Sequence, residues 1–550
     1  MPKISLQDKR VIIVDDQRPF LLMLKGIISK LGVRSLRIVQ TAESSIADCK
    51  KEKFDVVIAD LHLGTNKKNG YQLIEQLRVQ KLTKPDTVYM MVSGDSHRPV
   101  VLGSIERNPD DYIIKPFSQA QLINRLSKAF EKKQALKSIH LEIFKENWDA
   151  AIQAAQTLLG TATKYRQSII LLLTELYWRT TEYDQAHALL SEVLEHKNLP
   201  WAQVAMARTK LLMGEYEESI KLARQIVSGR LLALEGHDIL AKSYMALERY
   251  PDAMAQIRLA LDLSPFSMER QYMGASIGRI NKDYEFAKQC CKELFEQSKR
   301  SVHRDLIHMC NFVRSIVDIA ENAEDKGKKN KYQQEAMLTL QRLRTDELVV
   351  RSADDFSYDA FANLMTGRIN SLDGKSIEAK NSLSAAQREI AEKFDQMPMV
   401  LAPDTINLMV KVGDFKQAKE LTNDLRDSNY QIDENIEFLL EQVGTEIESQ
   451  SGKFEHYNQK GLDCFNAGKY QAAFEAFGHA LKYSQVNGDV AINLLHCSNR
   501  LMEQTNKPEL ITIVETKKTV KMLEEISLNE QQSTEFIKLK SDLSQYMELK

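Results

Sequence analysis

Two adjacent carboxylates, Asp15 and Asp16, close the apolar run Arg10-Val-Ile-Ile-Val, and a third, Asp60, closes Phe54-Asp-Val-Val-Ile-Ala. Ser93 closes Met90-Met-Val, and Lys115 closes Asp111-Tyr-Ile-Ile. Three carboxylates gathered in one place repel one another, and a hard divalent cation such as Mg2+ relieves that repulsion with oxygen ligands. A lysine opposite them can hold an anionic group against Asp60, and the Ser93 hydroxyl can donate to the same group. Taken singly, each of these residues is an ordinary helix cap or solvated loop residue. The chemistry depends on their convergence.

Convergence is a property of the elements that carry them. The runs are short, apolar and rich in β-branched residues, the pattern of strands buried on both faces. Leu36 to Val39 adds a fifth. Between strands, Phe20, Leu21, Leu24, Ile27, Ile28 and Leu31 fall at helical spacing in Pro19 to Leu31, with Gly32 placed to stop that helix. A second helix is expected around Glu43 to Lys51. Strands alternating with helices imply a parallel sheet covered on both faces, the flavodoxin-like doubly wound class. In such sheets ligands sit beyond the carboxyl ends of the strands, so Asp15, Asp16, Asp60, Ser93 and Lys115 should share one crevice.

With those positions filled, residues 1–130 resemble the CheY-like receiver domain of two-component response regulators. The resemblance implies that Asp60 accepts a phosphoryl group and that Asp15, Asp16 and Asp60 bind Mg2+ together with the backbone carbonyl of His62. It further implies that Ser93 is a switch hydroxyl, that Lys115 contacts the phosphoryl group, and that Tyr112 is the aromatic that swings inward on activation. One departure stands beside the phosphosite. Receivers usually carry a proline four residues after the acceptor and a glycine four after that, whereas here Gly64 takes the first place and Gly70 follows through Thr-Asn-Lys-Lys-Asn. The loop is thus two residues longer and carries Lys67 and Lys68, from which altered mobility and an altered dephosphorylation rate are expected, without loss of phosphorylation.

From Gln119 the strand pattern gives way to amphipathic helices. The last receiver helix, Gln121 to Phe130, runs into Lys-Lys-Gln-Ala-Leu-Lys137 without turn residues, which predicts a stiff joint. Beyond it Trp148, Tyr183, Tyr216, Tyr250 and Tyr284 each precede a small residue by three, at intervals of 35, 33, 34 and 34. A sustained period of this length marks stacked helical hairpins, in which small residues allow close approach and the aromatics join the core. The array resembles tetratricopeptide repeats, with further units at Phe415-Lys-Gln-Ala and Gly468-Lys-Tyr-Gln-Ala-Ala-Phe474 and a weaker one at Gly374 to Ala379. The expected organisation is a receiver over 1–130, repeats over 131–300, a divergent helical segment over 301–404, repeats over 405–500 and a helical cap over 501–550. Asn322 to Gln334 is expected as a polar loop, and the gap from Phe415 to Tyr470 as an extended helix or irregular pair.

Composition excludes several classes. The 74 Lys plus Arg against 76 Asp plus Glu leave a net charge of −2, so no global basic field is present to hold nucleic acid. Six scattered cysteines without C-x-x-C spacing read as reduced apolar filler. No run approaches a membrane span and the polar first ten residues do not read as a secretory signal, so a cytoplasmic protein is expected. No phosphate-binding glycine loop or nucleophile elbow occurs, so no enzyme is expected in the helical region. The composite expectation is a response regulator phosphorylated on Asp60 by a sensor histidine kinase or phosphotransfer protein, with the repeats binding protein clients. Inhibition of the cognate kinase's phosphotransfer is the variant within that class, a transcription or RNA regulator the less favoured alternative, and a homodimer a candidate assembly.

Overall fold

The computed structural model describes residues 6–64, 67–94, 109–161, 164–229, 232–351, 356–427, 434–504, 509–526 and 528–547. The chain falls into two compact units, Met1–His308 and Met309–Lys550.

The first unit opens with a five-stranded sheet. Its elements are β1 (Arg10–Val14), α1 (Arg18–Ser29), β2 (Ser35–Val39), α2 (Ala42–Lys51), β3 (Val56–Asp60), α3 (Gly70–Val79), β4 (Val88–Ser93) and β5 (Asp111–Ile114). The strand order is β2-β1-β3-β4-β5 and every pair is parallel. Side chains alternate across the sheet because the strand period is two. Val11, Ile13, Val56 and Ile58 pack beneath α1 and the helix Gln119–Ala135, whereas Ile12, Val14, Val57 and Ala59 pack beneath α2 and α3. The continuous apolar runs of β1 and β3 follow from this two-sided burial. The edge strand β2 is only half-buried.

The last helix against the sheet, Gln119–Ala135, is separated from the next, Lys137–Phe144, by Leu136 alone, and Leu136 is buried. The expected stiff joint is therefore a near-continuous helix. Hairpins follow: the second helices begin at Trp148, Tyr183, Tyr216, Tyr250 and Tyr284, the residues whose spacing revealed the period. Ala151, Ala186, Ser219, Ala253 and Ala287 are almost fully buried where the paired helices approach. The aromatics differ from expectation. They are half-buried at the start of each second helix; the Trp148 ring, for example, lies under the Arg179 guanidinium at 3.9 Å.

Each hairpin turns through a left-handed residue two positions before the second helix: Glu146, Thr181, Gly214, Glu248 and Lys282, with Gly374, Gly413 and Gly468 in the second unit. Glycine adopts this conformation without strain, whereas a β-branched residue does so at a cost. Thr181, exposed at φ 61°, is the most strained member by residue type. Thr181→Gly is expected to stabilise the first unit by about 1 kcal/mol, read as a higher urea midpoint; a lower midpoint would overturn this account of the turn.

The second unit is helical throughout its described residues. Of the stretch Asn322 to Gln334 only residues 322–325 are non-helical: Lys326–Leu343 is a helix. Asp325 caps it by accepting from the Lys328 N–H, and Tyr332, Gln333, Ala336 and Leu340 bury one stripe. A high lysine content misleads here because lysine is a good helix former whose charge stays on the outer face. Between Phe415–Asp427 and Tyr470–Tyr483 lies a single 33-residue helix, Glu434–Asn466. The tail supplies two helices, Leu510–Glu525 and Glu530–Met547, whose Val520, Leu523, Phe536, Leu539 and Leu543 share a core with Gly488–Gln504. No helix among the described residues is long and apolar enough to cross a membrane.

Candidate functional site

The parallel register brings the strand ends together. Asp60, the last residue of β3, lies beside Val92 of β4, and Ser93 of β4 beside Ile114 of β5. Asp15 follows β1 directly, held by its own N–H on the Val39 carbonyl at 3.2 Å. Its Oδ1 accepts from the Gln17 N–H at 2.8 Å, which fixes the carboxylate as the chain turns into α1. The carboxylates of Asp15, Asp16 and Asp60 have oxygens within 4.8 Å of one another. Asp15 and Asp60 are buried and Asp16 is exposed at the rim.

Lys115 reaches in from the end of β5. Its Nζ donates to Asp15 Oδ2 at 2.8 Å and to Asp60 Oδ2 at 3.1 Å. The backbone beneath is pinned by the Lys115 N–H on the Ser93 carbonyl at 2.7 Å, and the Lys115–Pro116 peptide is cis. Ser93 is fully buried, and Tyr112 is half-buried against the cluster beneath α2 and α3. His62 lies two residues past Asp60 in the loop leaving β3, with its side chain exposed.

The electrostatics are unbalanced. One ammonium pairs with two of the three clustered carboxylates, and Asp60 Oδ1 is buried with no hydrogen-bond partner. Burial raises the Asp60 pKa above the ordinary carboxylate range, Lys115 pulls it back, and Asp15 adds to the rise. An unpartnered buried carboxylate oxygen beside two more carboxylates is a poor resting state for the protein alone and a suitable donor set for a hard cation. Among the described residues this is the one such cluster.

Residues 11–127 match the family described as the response regulator receiver domain. The N-terminal domain is a receiver. It is 25% identical over 132 residues to chemotaxis protein CheY-3 of Vibrio cholerae, covering 24% of this chain and 99% of that one. It is 28% identical over 120 residues to CheY of Thermotoga maritima, covering 22% and 96%. Among solved structures, the beryllofluoride-activated DrrB receiver domain is 27% identical and covers 23% of this chain and 99% of its own, with a TM-score of 0.20.

Two residues of the receiver site have roles that only the structure shows. Phe20, which reads as one more apolar position of α1, places its ring 3.8 Å from the Lys115 ammonium and packs edge-on against Phe117 at 5.8 Å. A cation held over a ring face is partly desolvated and oriented. Gly70 opens α3 directly against the end of β3. Its N–H donates to the Leu61 carbonyl at 2.9 Å, and a Cβ there would stand 2.2 Å from the Asp60 carbonyl oxygen and 2.9 Å from Met91 Sδ. Backbone cannot yield as a flexible side chain can. Gly70→Ala is expected to destabilise the receiver by about 2–3 kcal/mol, measured by urea unfolding; an unchanged midpoint would mean that α3 is free to shift.

Proposed function

We propose that the chain is a response regulator that takes a phosphoryl group onto Asp60 from a sensor histidine kinase or phosphotransfer protein and relays that state through its helical region. The Asp60 carboxylate carries this reading: one oxygen is engaged by Lys115 and the other is buried without a partner. In the transfer an Asp60 oxygen bonds to phosphorus, the bond from phosphorus to the donor breaks, and the donor leaves with the electron pair. Lys115 shifts from pairing two carboxylates to holding the equatorial oxygens, and Phe20 keeps the ammonium in place for that exchange. Asp15 and Asp16, with Asp60 and the His62 carbonyl, would hold Mg2+, which supplies further charge neutralisation when bound. Ser93 and Tyr112 are the switch pair.

In the same reading residues 1–130 are the receiver, 131–300 and 405–500 are tetratricopeptide-like repeats around a divergent 301–404, and 501–550 closes the array. The repeats bind protein clients in the cytoplasm, since stacked hairpins offer extended surfaces suited to peptides or helices. The client is either a downstream protein or the kinase itself, whose phosphotransfer the array would then inhibit. The chain acts as a signalling adaptor and is not an enzyme toward other substrates. A transcription or RNA regulator is disfavoured by the net charge of −2.

The test is acid-labile phosphate on Asp60 after acetyl phosphate and Mg2+, found by peptide mass spectrometry, followed by affinity capture with and without the phosphodonor. Absence of label on Asp60 would end the receiver proposal. Identical captured proteins in both states would end the proposal of a phosphorylation-gated scaffold.

A further inference from the structure

Residues 65 and 66 of the enlarged loop after β3 lie outside the described residues, but Lys68, near its end, reaches the helical array. Lys68 Nζ donates to the backbone carbonyl of Arg300, at the end of the fifth hairpin. One turn on, Gln72 works in two directions. Its Oε1 accepts from the Asn69 N–H at 3.0 Å to close the capping box that starts α3, while its Nε2 donates to the Gln297 carbonyl at 3.4 Å. Glu75, the next residue on that face, lies 3.4 Å from His303 Nε2. At the other end of the helix Lys81 pairs with Glu146, the left-handed residue of the first hairpin turn, at 2.6 Å. Helix α3 is thus held near both ends by hairpins far apart in sequence, the first and the fifth, and its held N-terminus is the one pressed by Gly70 against the Asp60 carbonyl.

We propose that Lys68 and Gln72 are positioning residues for phosphoryl transfer at Asp60, anchoring the loop that carries His62 to the 297–303 segment of the helical array. The inference rests on the reading of Asp60 as a phosphoacceptor and deepens it by naming the contact that joins acceptor to array. The sequence marks the loop as anomalous by length and by its lysines; the structure shows what a lysine there can reach. The contact is also poorly satisfied. Gln297 Oε1 and, one turn beyond Gln72, Gln76 Oε1 are buried without partners. Burial lowers the Lys68 pKa, against the opposing pull of Glu43. A docked state that leaves polar atoms unpaired is one that a change at the phosphosite can disengage. Where the array contact shifts the equilibrium of the phosphosite as well as its rate, the coupling is reciprocal, and phosphorylation alters the array contact by the same free energy.

The experiment uses the full chain with acetyl phosphate and Mg2+ as the probe. Lys68→Met and, on the array side and away from the acceptor, His303→Ala are each expected to slow labelling of Asp60 about five-fold or more. Lys68→Arg, which can still donate to the Arg300 carbonyl, should restore the rate to within about two-fold. Amide exchange over 297–303 in the wild type should change when Mg2+ and beryllium fluoride, a phosphoryl mimic, are added. Rescue by Lys68→Arg separates positioning from folding, because a merely destabilised protein would not regain its rate through one cation. Wild-type labelling rates in Lys68→Met and His303→Ala, or exchange over 297–303 that ignores the mimic, would overturn the coupling while leaving the acceptor intact. Failure of the wild type itself to take label would instead overturn the reading of Asp60.

Discussion

Asp60→Asn should abolish the acid-labile label completely and, at the same time, make the Mg2+-free protein more stable. The first half follows from chemistry, since a carboxamide presents no anionic oxygen to phosphorus. The second follows from the environment. Asp60 is 5% exposed, its Oδ1 is unpartnered, and burial raises its pKa, with Lys115 opposing and Asp15 reinforcing the rise. A carboxyl group whose folded pKa lies above its unfolded value is more costly to ionise in the fold than out of it. Its charge therefore destabilises the fold at neutral pH, and the penalty fades as pH falls through the raised value. Removing the charge should add on the order of 1 kcal/mol at pH 7, seen as a higher melting temperature without Mg2+, and the gain should vanish on acidification. A variant no more stable than the wild type at pH 7 would show that Lys115 already balances the pocket.

The second large effect lies far from the receiver. In the second unit Arg314, 1% exposed, donates through Nε and Nη2 to Asp404 Oδ2 at 2.8 and 2.6 Å, and through Nη1 to Asn311 at 2.9 Å. Arg368 reaches Asp404 Oδ1 at 3.3 Å and pairs with Asp318 and Glu321, both at 2.9 Å. Lys411 adds a contact to Glu321 at 3.4 Å. Three cations and three carboxylates thus join the helices Leu306–Glu321, Tyr358–Leu372 and Ala402–Val412. Such a network is no more stabilising than a good apolar core, but breaking it strands a buried charge. Asp404→Ala is expected to cost about 3–5 kcal/mol and to strip amide protection from all three helices. Protection lost from Ala402–Val412 alone would mean that the network is not cooperative. Burial opposes ionisation of Glu321, yet Arg368 and Lys411 outweigh it and hold the group at about 2, below its ordinary 4.5. Its stabilising share is present above the unfolded value and should be lost as pH falls from 4.5 toward 2.

Much of the receiver was legible because its information is local. A strand buried on both faces must be apolar along its length, so its end is announced by the first polar residue, and in a parallel sheet those ends meet. Asp15, Asp16, Asp60, Ser93 and Lys115 could be placed in one crevice for that reason, and the sheet gathers them there. The hairpin period was legible for a similar reason: each turn repeats the demand for an aromatic at the helix start and a small residue one turn later. Where the demand was one of composition alone, as in Asn322 to Gln334, it misled, since a lysine-rich stretch suits a solvated loop and the outer face of a helix equally well.

By itself, then, the sequence determined the order of elements, the identity of the acidic crevice and the existence of the helical array. Tertiary structure alone decided that Phe20 sits under Lys115, that Gly70 is a steric requirement of the Asp60 backbone, that Lys68 and Gln72 engage residues 297–303, and that Arg314 finds Asp404 ninety residues away. In each case the residue types of one segment do not name the partner in the other. A periodic pattern reports which face of an element is buried, whereas the partner it is buried against is set by how elements far apart in the chain come to lie, and no local spacing carries that information.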